Sequence, residues 1–430
     1  MVLLIRSRQL FNFTTRHGCQ YKRWYTTPSP PPSSSSQNKE PFTPLTKHLR
    51  DSIKLTGPMT TAHFMRQVLV NPLSGYYMHG DVFGRQGDFV TSPEISQLFG
   101  EMTGIWYLTE WMRLGKPKKT QLVELGPGRG TLMSDMLRTL SQFPYFYETI
   151  TGVHLVEASP GLRKMQRSAL VKDAEEIEGK VEKATRSDGI NIYWHDGAEV
   201  IPEGWSCIMA HEFFDALAVH SFEKTEEGWR ELLIDFDDTD ETPYNFRMVL
   251  SPTPTTASKA YMDENPLYAE HKIGDRIELS PDTWYTGQSL ADLLSRGGGT
   301  GLVIDYGQDY AQGDTIRAIK KHEIVHPMSD PGSADLSADV DFAALKVAMG
   351  KYSDITTYGP VTQSKFLQSL GIQTRLEMLL KNAKTSESRT TLIKGFQRLL
   401  DPAMMGRIYK VMSFSKENDT SKSAKPVGFE

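Results

Sequence analysis

The amino-acid sequence predicts an α/β protein built on a doubly wound, mostly parallel sheet, and three observations carry that prediction. Short apolar runs alternate with helical patterns through the middle of the chain, at 121–125, 153–157, 190–195, 207–211 and 301–306. The first run opens into a glycine-rich turn, Gly126-Pro127-Gly128-Arg129-Gly130. Acidic residues stand at three successive run ends, Glu124, Glu157 and Asp196. Strands alternating with helices build parallel sheets. Ligands of such open sheets sit outside the carboxyl ends of their strands.

The elements follow in order. Residues 40–119 read as a mainly helical N-terminal cap. Thr60 is placed to cap a helix that Asn71-Pro72 stops, because the residue before proline avoids the helical region. Pro93 begins a long helical pattern through Ile95, Leu98, Phe99, Met102, Ile105 and Trp106. A core at 120–360 follows, with its first helix at 131–140. After the fourth strand the rhythm changes to short strands at 229–236, 246–250 and 276–279, a β insertion over about 220–282. The last third reads as a strand pair at 315–319 and 355–358, then C-terminal helices to 413. A polar, disordered tail is expected over 414–430.

Composition narrows the class. Of 430 residues, 39% are hydrophobic and 23% charged, as in an ordinary globular protein. No apolar run is long enough to span a bilayer. Residues 1–39 carry six basic residues and no acid, mixed with Leu3, Leu4, Ile5, Leu10, Phe11 and Phe13. That is the composition of a mitochondrial transit peptide, and a Pro/Ser linker over 28–36 follows it. A mitochondrial matrix protein is therefore expected. The rest holds 42 basic against 53 acidic residues, which argues against nucleic acid, since phosphate contacts need a basic face. Two cysteines, Cys19 and Cys207, exclude a disulfide framework or a cysteine metal site, and no metal is expected.

The turn after Glu124 selects the ligand. Its glycines permit a tight bend and close backbone approach, and the helix behind it offers free N–H groups. A dinucleotide fingerprint needs G-x-G-x-x-G, whereas here position 131 is Thr and the third glycine comes one residue early. A carboxylate at Glu124 would also repel a pyrophosphate. It suits a ligand with a cationic amino group, and S-adenosylmethionine carries an ammonium, a carboxylate and a sulfonium. Gly126, Gly128 and Gly130 are then the cofactor loop. Glu157 is placed for a ribose diol and Asp196 for an adenine amino group. Thr91 and Ser92 belong to a segment expected to close over the cofactor.

Four segments in order carry a family resemblance: 87–94, the glycine loop, His211-Glu212-Phe213-Phe214-Asp215-Ala216-Leu217, and 334–342. Over roughly 41–410 the chain resembles the MidA family. The resemblance implies a class I methyltransferase fold (Rossmann-like) and S-adenosyl-L-methionine as cofactor. It further implies symmetric dimethylation of a protein arginine on the iron–sulfur quinone-module subunit of NADH:ubiquinone oxidoreductase. A cofactor-binding assembly chaperone without methylation activity is the alternative. The partner expected is the protein substrate, with a homodimer left open.

Arginine is a poor nucleophile while its guanidinium is protonated and delocalised. Carboxylates that pin the guanidinium bidentately localise its charge and leave one nitrogen free to attack. Glu212 and Asp215, just past the fourth strand, are the catalytic candidates; helix capping is the competing reading for such acids. Asp335, Asp339 and Asp341 are candidates for the acceptor side, against a loop-and-cap role. Asp305 is expected to organise the loop. The His-Glu-x-x-Asp order lacks the second histidine of a zinc motif.

Overall fold

The computed structural model describes residues 40–430 except 73, 79–90, 172–181, 240–242, 264, 266–267 and 418–423. The expected transit peptide, the Pro/Ser linker and Asp88 of the closing segment lie outside the described residues.

The main sheet runs Ile355–Thr362, Tyr409–Lys416, Gly299–Gln308, Ser206–His211, Thr120–Leu125, Ile150–Val156, Asn191–His195, with Lys183–Thr185 at one edge. Its five middle strands, from Gly299–Gln308 to Asn191–His195, are parallel. Thr120–Leu125 and Ser206–His211 are buried at every position, as strands covered on both faces must be. Helices Gln97–Arg113 and Thr131–Leu140 cover one face, packing Phe99, Trp106, Met133 and Met136 on Leu122 and Val153. Pro281–Gly297 and Phe342–Met349 cover the other, where Leu290, Leu294 and Phe342 meet Val123, Ile208 and Val303. The doubly wound, mostly parallel architecture is the expected one.

The β insertion forms a separate antiparallel sheet in which Gly228–Phe236 pairs with His220–Thr225, Phe246–Leu250 and the short Met59–Thr60, while Arg276–Leu279 joins the edge. The N-terminal helices divide between the two sheets. Pro44–Thr56 and Thr61–Val70 pack Leu49, Phe64 and Met65 against Ile234, Phe246 and Leu336, whereas Gln97–Arg113 belongs to the core. Among the described residues no helix is long and apolar enough to cross a membrane.

Two expectations about the C-terminal third are corrected. The strands near 315–319 and 355–358 exist but do not pair with each other. Arg317–Lys320 pairs with Glu323–Val325 and Asp335–Ser337 in a small sheet, and Ile355–Thr362 pairs with Tyr409–Lys416. The latter strand, placed among helices and a disordered tail by the sequence reading, enters the main sheet antiparallel beside Gly299–Gln308. Gly301 makes room for it: a Cβ there would lie 2.2 Å from Phe414 Cζ.

The tail, too, is built into the core where it is described. Phe429 is 6% exposed, its ring 5.8 Å from Phe366 and 6.5 Å from Trp106, whose Nε1 donates to the Val427 carbonyl at 3.1 Å. Deleting a buried aromatic side chain leaves a cavity that surrounding structure fills only partly, at about 3–5 kcal/mol. Phe429→Ala is therefore expected to lower the unfolding free energy by that amount with cofactor affinity unchanged, as equilibrium unfolding and calorimetry would show.

Candidate functional site

The carboxyl ends of the parallel strands open into a cavity of about 530 Å³. Among the described residues, nine acidic side chains line it against two arginines, Arg66 and Arg129. Such a wall suits a cationic occupant.

One end is the glycine loop. Gly126, Gly128 and Gly130 have φ of +60°, +53° and +82°, the left-handed region that costs a side-chain-bearing residue roughly 1–2 kcal/mol. A Cβ on Gly126 would also stand 2.9 Å from the Phe213 ring. The loop is clamped from behind. Gln166 Nε2 donates to the Gly128 carbonyl at 2.8 Å and to Glu157 Oε2 at 3.0 Å, and its Oε1 accepts from Trp194 Nε1 at 2.8 Å. Glu124 is 2% exposed, Oε2 has no hydrogen-bond partner, and burial pushes its carboxyl up to about 8. A buried, unsatisfied acid is costly on its own, and a cation beside it would restore its ionised form.

Glu157 follows at the next strand end, its Oε1 accepting from Ser159 N at 2.8 Å, with burial raising it to about 6. Asp196 is on the cavity wall but 69% exposed at its side chain, with Oδ1 held by Arg163 at 2.6 Å. Arg163 is itself 1% exposed and donates from Nε to the Glu157 carbonyl at 2.7 Å. It therefore ties the second and third strand ends together. Thr91 lines the cavity. Ser92 does not; its N–H donates to the Glu212 carboxyl instead. The turn, the orphaned Glu124 oxygen and the two further acids together fit a ligand with a cationic amino acid end and a nucleoside.

Next to the loop, on either side of Phe213, the acceptor end of the cavity gathers carboxylic acids paired with tyrosines. Glu212 sits at φ +49°, a conformation that non-glycine residues adopt at a cost of order 1–3 kcal/mol and that clusters at functional sites. Its carboxyl receives the Tyr409 hydroxyl, and burial followed by repulsion from Asp215 raises it to about 8. Asp215 Oδ2 accepts a hydrogen bond from the Tyr306 hydroxyl, and burial lifts Asp215 to about 6. Asp335 Oδ1 accepts from Tyr77 at 2.8 Å. Glu212, Asp215 and Asp335 all line the cavity. Behind them Arg317 lies over the Tyr306 ring at 4.4 Å.

The other acids resolve differently. Asp305, 0% exposed, accepts from the N–H groups of Phe214 and Asp215 at 3.1 and 3.3 Å, organising the loop as expected. Asp339 pairs with Arg317 at 2.5 Å, and Asp341 caps Phe342–Met349 through the N–H groups of Ala343 and Ala344. Neither lines the cavity, so of the three acids expected on the acceptor side only Asp335 reaches it. Sequence reasoning missed Arg163, Gln166 and the three tyrosines. Only the first two left a signal, as polar residues on the buried stripe of Leu162 and Leu170.

Residues 102–361 match the model of a family of S-adenosyl-L-methionine-dependent methyltransferases. The chain belongs to this family. Its relatives extend the match over nearly the whole chain and bear out the MidA resemblance. The zebrafish (Danio rerio) protein named protein arginine methyltransferase NDUFAF7, mitochondrial, is 41% identical over 89% of this chain and 88% of its own length. The human protein of that name is 40% identical over 87% and 84%. A Drosophila melanogaster homologue is 41% identical over 90% and 88%. Among solved structures, a Burkholderia thailandensis protein bound to S-adenosyl-homocysteine aligns with a TM-score of 0.70 at 24% identity, covering 90% of this chain and 98% of that one. The fold is that of this methyltransferase class, and S-adenosyl-L-methionine is the family's cofactor.

Proposed function

We propose that the chain transfers a methyl group from S-adenosyl-L-methionine to an arginine side chain of a protein. The observation that carries this is the trio Glu212, Asp215 and Asp335 on the wall of the cavity that holds the cofactor loop. Three carboxyls converge there, and a guanidinium is the planar, multiply donating cation that such a set pins. The names of the relatives point the same way.

The bound cofactor supplies an electrophilic methyl group on a sulfonium. Everything else falls to the chain. Glu124 faces the amino acid ammonium, and Gly126, Gly128 and Gly130 let the backbone approach the ligand. Glu157 faces the ribose, Asp196 the adenine edge, and Thr91 closes the wall. Ser92 acts through Glu212. Glu212 and Asp215 hold the guanidinium so that one nitrogen is free to attack in line, an orientation effect.

The finer reading is a symmetric dimethylarginine product on the iron–sulfur quinone-module subunit of NADH:ubiquinone oxidoreductase, made in the mitochondrial matrix. It is supported by the basic, acid-free first 39 residues, by the family resemblance and by the word mitochondrial in the relatives' names. The test is direct. Mature protein, S-adenosyl-L-methionine and that subunit are incubated, and the methylated residue and its fragment ions are read by mass spectrometry. Methylarginine with the symmetric fragmentation is the expected result. Cofactor binding with no methyl transfer would favour an assembly chaperone, and binding of NAD in its place would sink the reading.

A further inference from the structure

Two side-chain atoms at the acceptor end of the cavity are buried, unsatisfied and side by side. His211 Nε2 and Glu212 Oε1 each lack a hydrogen-bond partner, yet they stand 3.4 Å apart. Both residues line the cavity, and both are almost wholly buried at the side chain, 5% and 11% exposed. The Tyr409 hydroxyl and the Ser92 N–H stabilise the Glu212 carboxyl but leave Oε1 open. His211 ends the fourth strand, its ring 4.9 Å from Phe99. Burial holds its imidazole down to about 3, so it is neutral and can accept a proton-bearing group through an unprotonated nitrogen. Leaving two such atoms unsatisfied is costly in a fold that serves no ligand there.

We propose that His211 and Glu212 form one proton-accepting pair for the transfer: Glu212 takes the proton shed by the methylated nitrogen, and His211 accepts the hydrogen bond of the resulting carboxylic acid. The inference rests on the arginine reading above. A guanidinium nitrogen forms a bond to the methyl carbon while the carbon–sulfur bond breaks, its electron pair staying on sulfur. One N–H proton passes to Glu212 Oε1, and the product stays a monocationic methylguanidinium. Glu212 touches the reacting group and is catalytic; His211 acts through it and is a positioning residue. Among the described residues, the other charged or titratable groups that act on Glu212 include Asp215, Glu94, Asp305 and Tyr409. The three acids disfavour a second negative charge beside them, which makes Glu212 a base suited to neutral pH.

The test separates positioning from structure. Burial raises the Glu212 carboxyl to about 8, so it carries a proton at pH 7 before peptide is added, and an entering guanidinium expels it. Enzyme loaded with S-adenosyl-homocysteine is titrated at pH 7 with a blocked Gly-Arg-Gly peptide in buffers of different ionisation enthalpy. The wild-type chain is expected to release about one proton per peptide, and Glu212→Gln none. His211→Asn, polar but too short to reach Oε1, removes the partner of the protonated acid. It should lower the midpoint of the kcat/KM profile by about one pH unit, reduce proton release to about half, and cut kcat about tenfold. His211→Gln, whose amide oxygen reaches Glu212, should restore most of each. Cofactor affinity should stay within twofold throughout. A His211→Asn midpoint and proton release identical to wild type overturn the pair, even if kcat falls. Proton release without any methyl transfer by the wild type instead overturns the arginine methylation reading. A wild-type chain that does not bind the peptide overturns both.

Discussion

Gly128→Val is expected to weaken S-adenosyl-L-methionine binding at least about a hundredfold, roughly 2.7 kcal/mol. Gly128 stands at φ +53° on the cavity wall. A β-branched residue there is a genuine outlier. Relief by backbone movement is blocked, because Gln166 fixes the Gly128 carbonyl and is itself fixed by Trp194 and Glu157. The added side chain must therefore distort the turn or enter the ligand's space. The remainder of the sheet should fold, with a small loss of thermal stability from the backbone strain. Calorimetric titration together with a melting curve checks this. Normal binding by a folded Gly128→Val protein would remove the loop as the cofactor site.

Glu212→Gln is expected to reduce arginine methylation by about three orders of magnitude with cofactor affinity within twofold, in the range for loss of a positioned proton acceptor. The amide preserves the volume and one acceptor oxygen. It loses the negative charge that holds the guanidinium and the ability to take its proton. The Tyr409 hydroxyl and the Ser92 N–H that reach this carboxyl can still reach the amide oxygen, so the fold has no reason to change. Single-turnover methylation with saturating cofactor reads the chemical step. Turnover equal to wild type would assign Glu212 to capping and backbone geometry alone.

These predictions draw on parts of the molecule with different legibility. The cofactor end is written locally. Glu124 and Gly126–Gly130 are contiguous, and strand, carboxylate and turn are set by neighbouring residues. Glu157 and Asp196 repeat the pattern one strand along each time, so a short apolar run followed by an acid marks each of them. Arg163 and Gln166 sit three apart on one helix, where two polar residues on an otherwise apolar stripe mark an internal network.

The acceptor end is assembled from distant segments. Tyr77, Tyr306 and Tyr409 come from an N-terminal 3-10 turn, the fifth strand and a strand near the C-terminus, and they meet Asp335, Asp215 and Glu212. Nothing local distinguishes a tyrosine that will face a carboxyl from one that packs. The same holds for Tyr409–Lys416, whose alternation is weakened by buried Ser413 and Ser415. It becomes a strand because Gly301 leaves room for Phe414 and because two flanking strands satisfy its backbone on both sides.

The sequence by itself therefore determined the doubly wound core, the ligand-bearing edge and the charge type of the ligand, since each rests on periodicity, turn chemistry and acids adjacent in the chain. Only the tertiary structure decided which acids face the cavity. It sent Asp341 to a helix cap, Asp339 to Arg317 and Asp305 to the loop backbone, and left Glu212, Asp215 and Asp335 at the acceptor end. The physical reason is that a carboxylate's role is set by the donors that reach it and by its burial. Both depend on residues brought together from across the chain, which spacing along the chain does not encode.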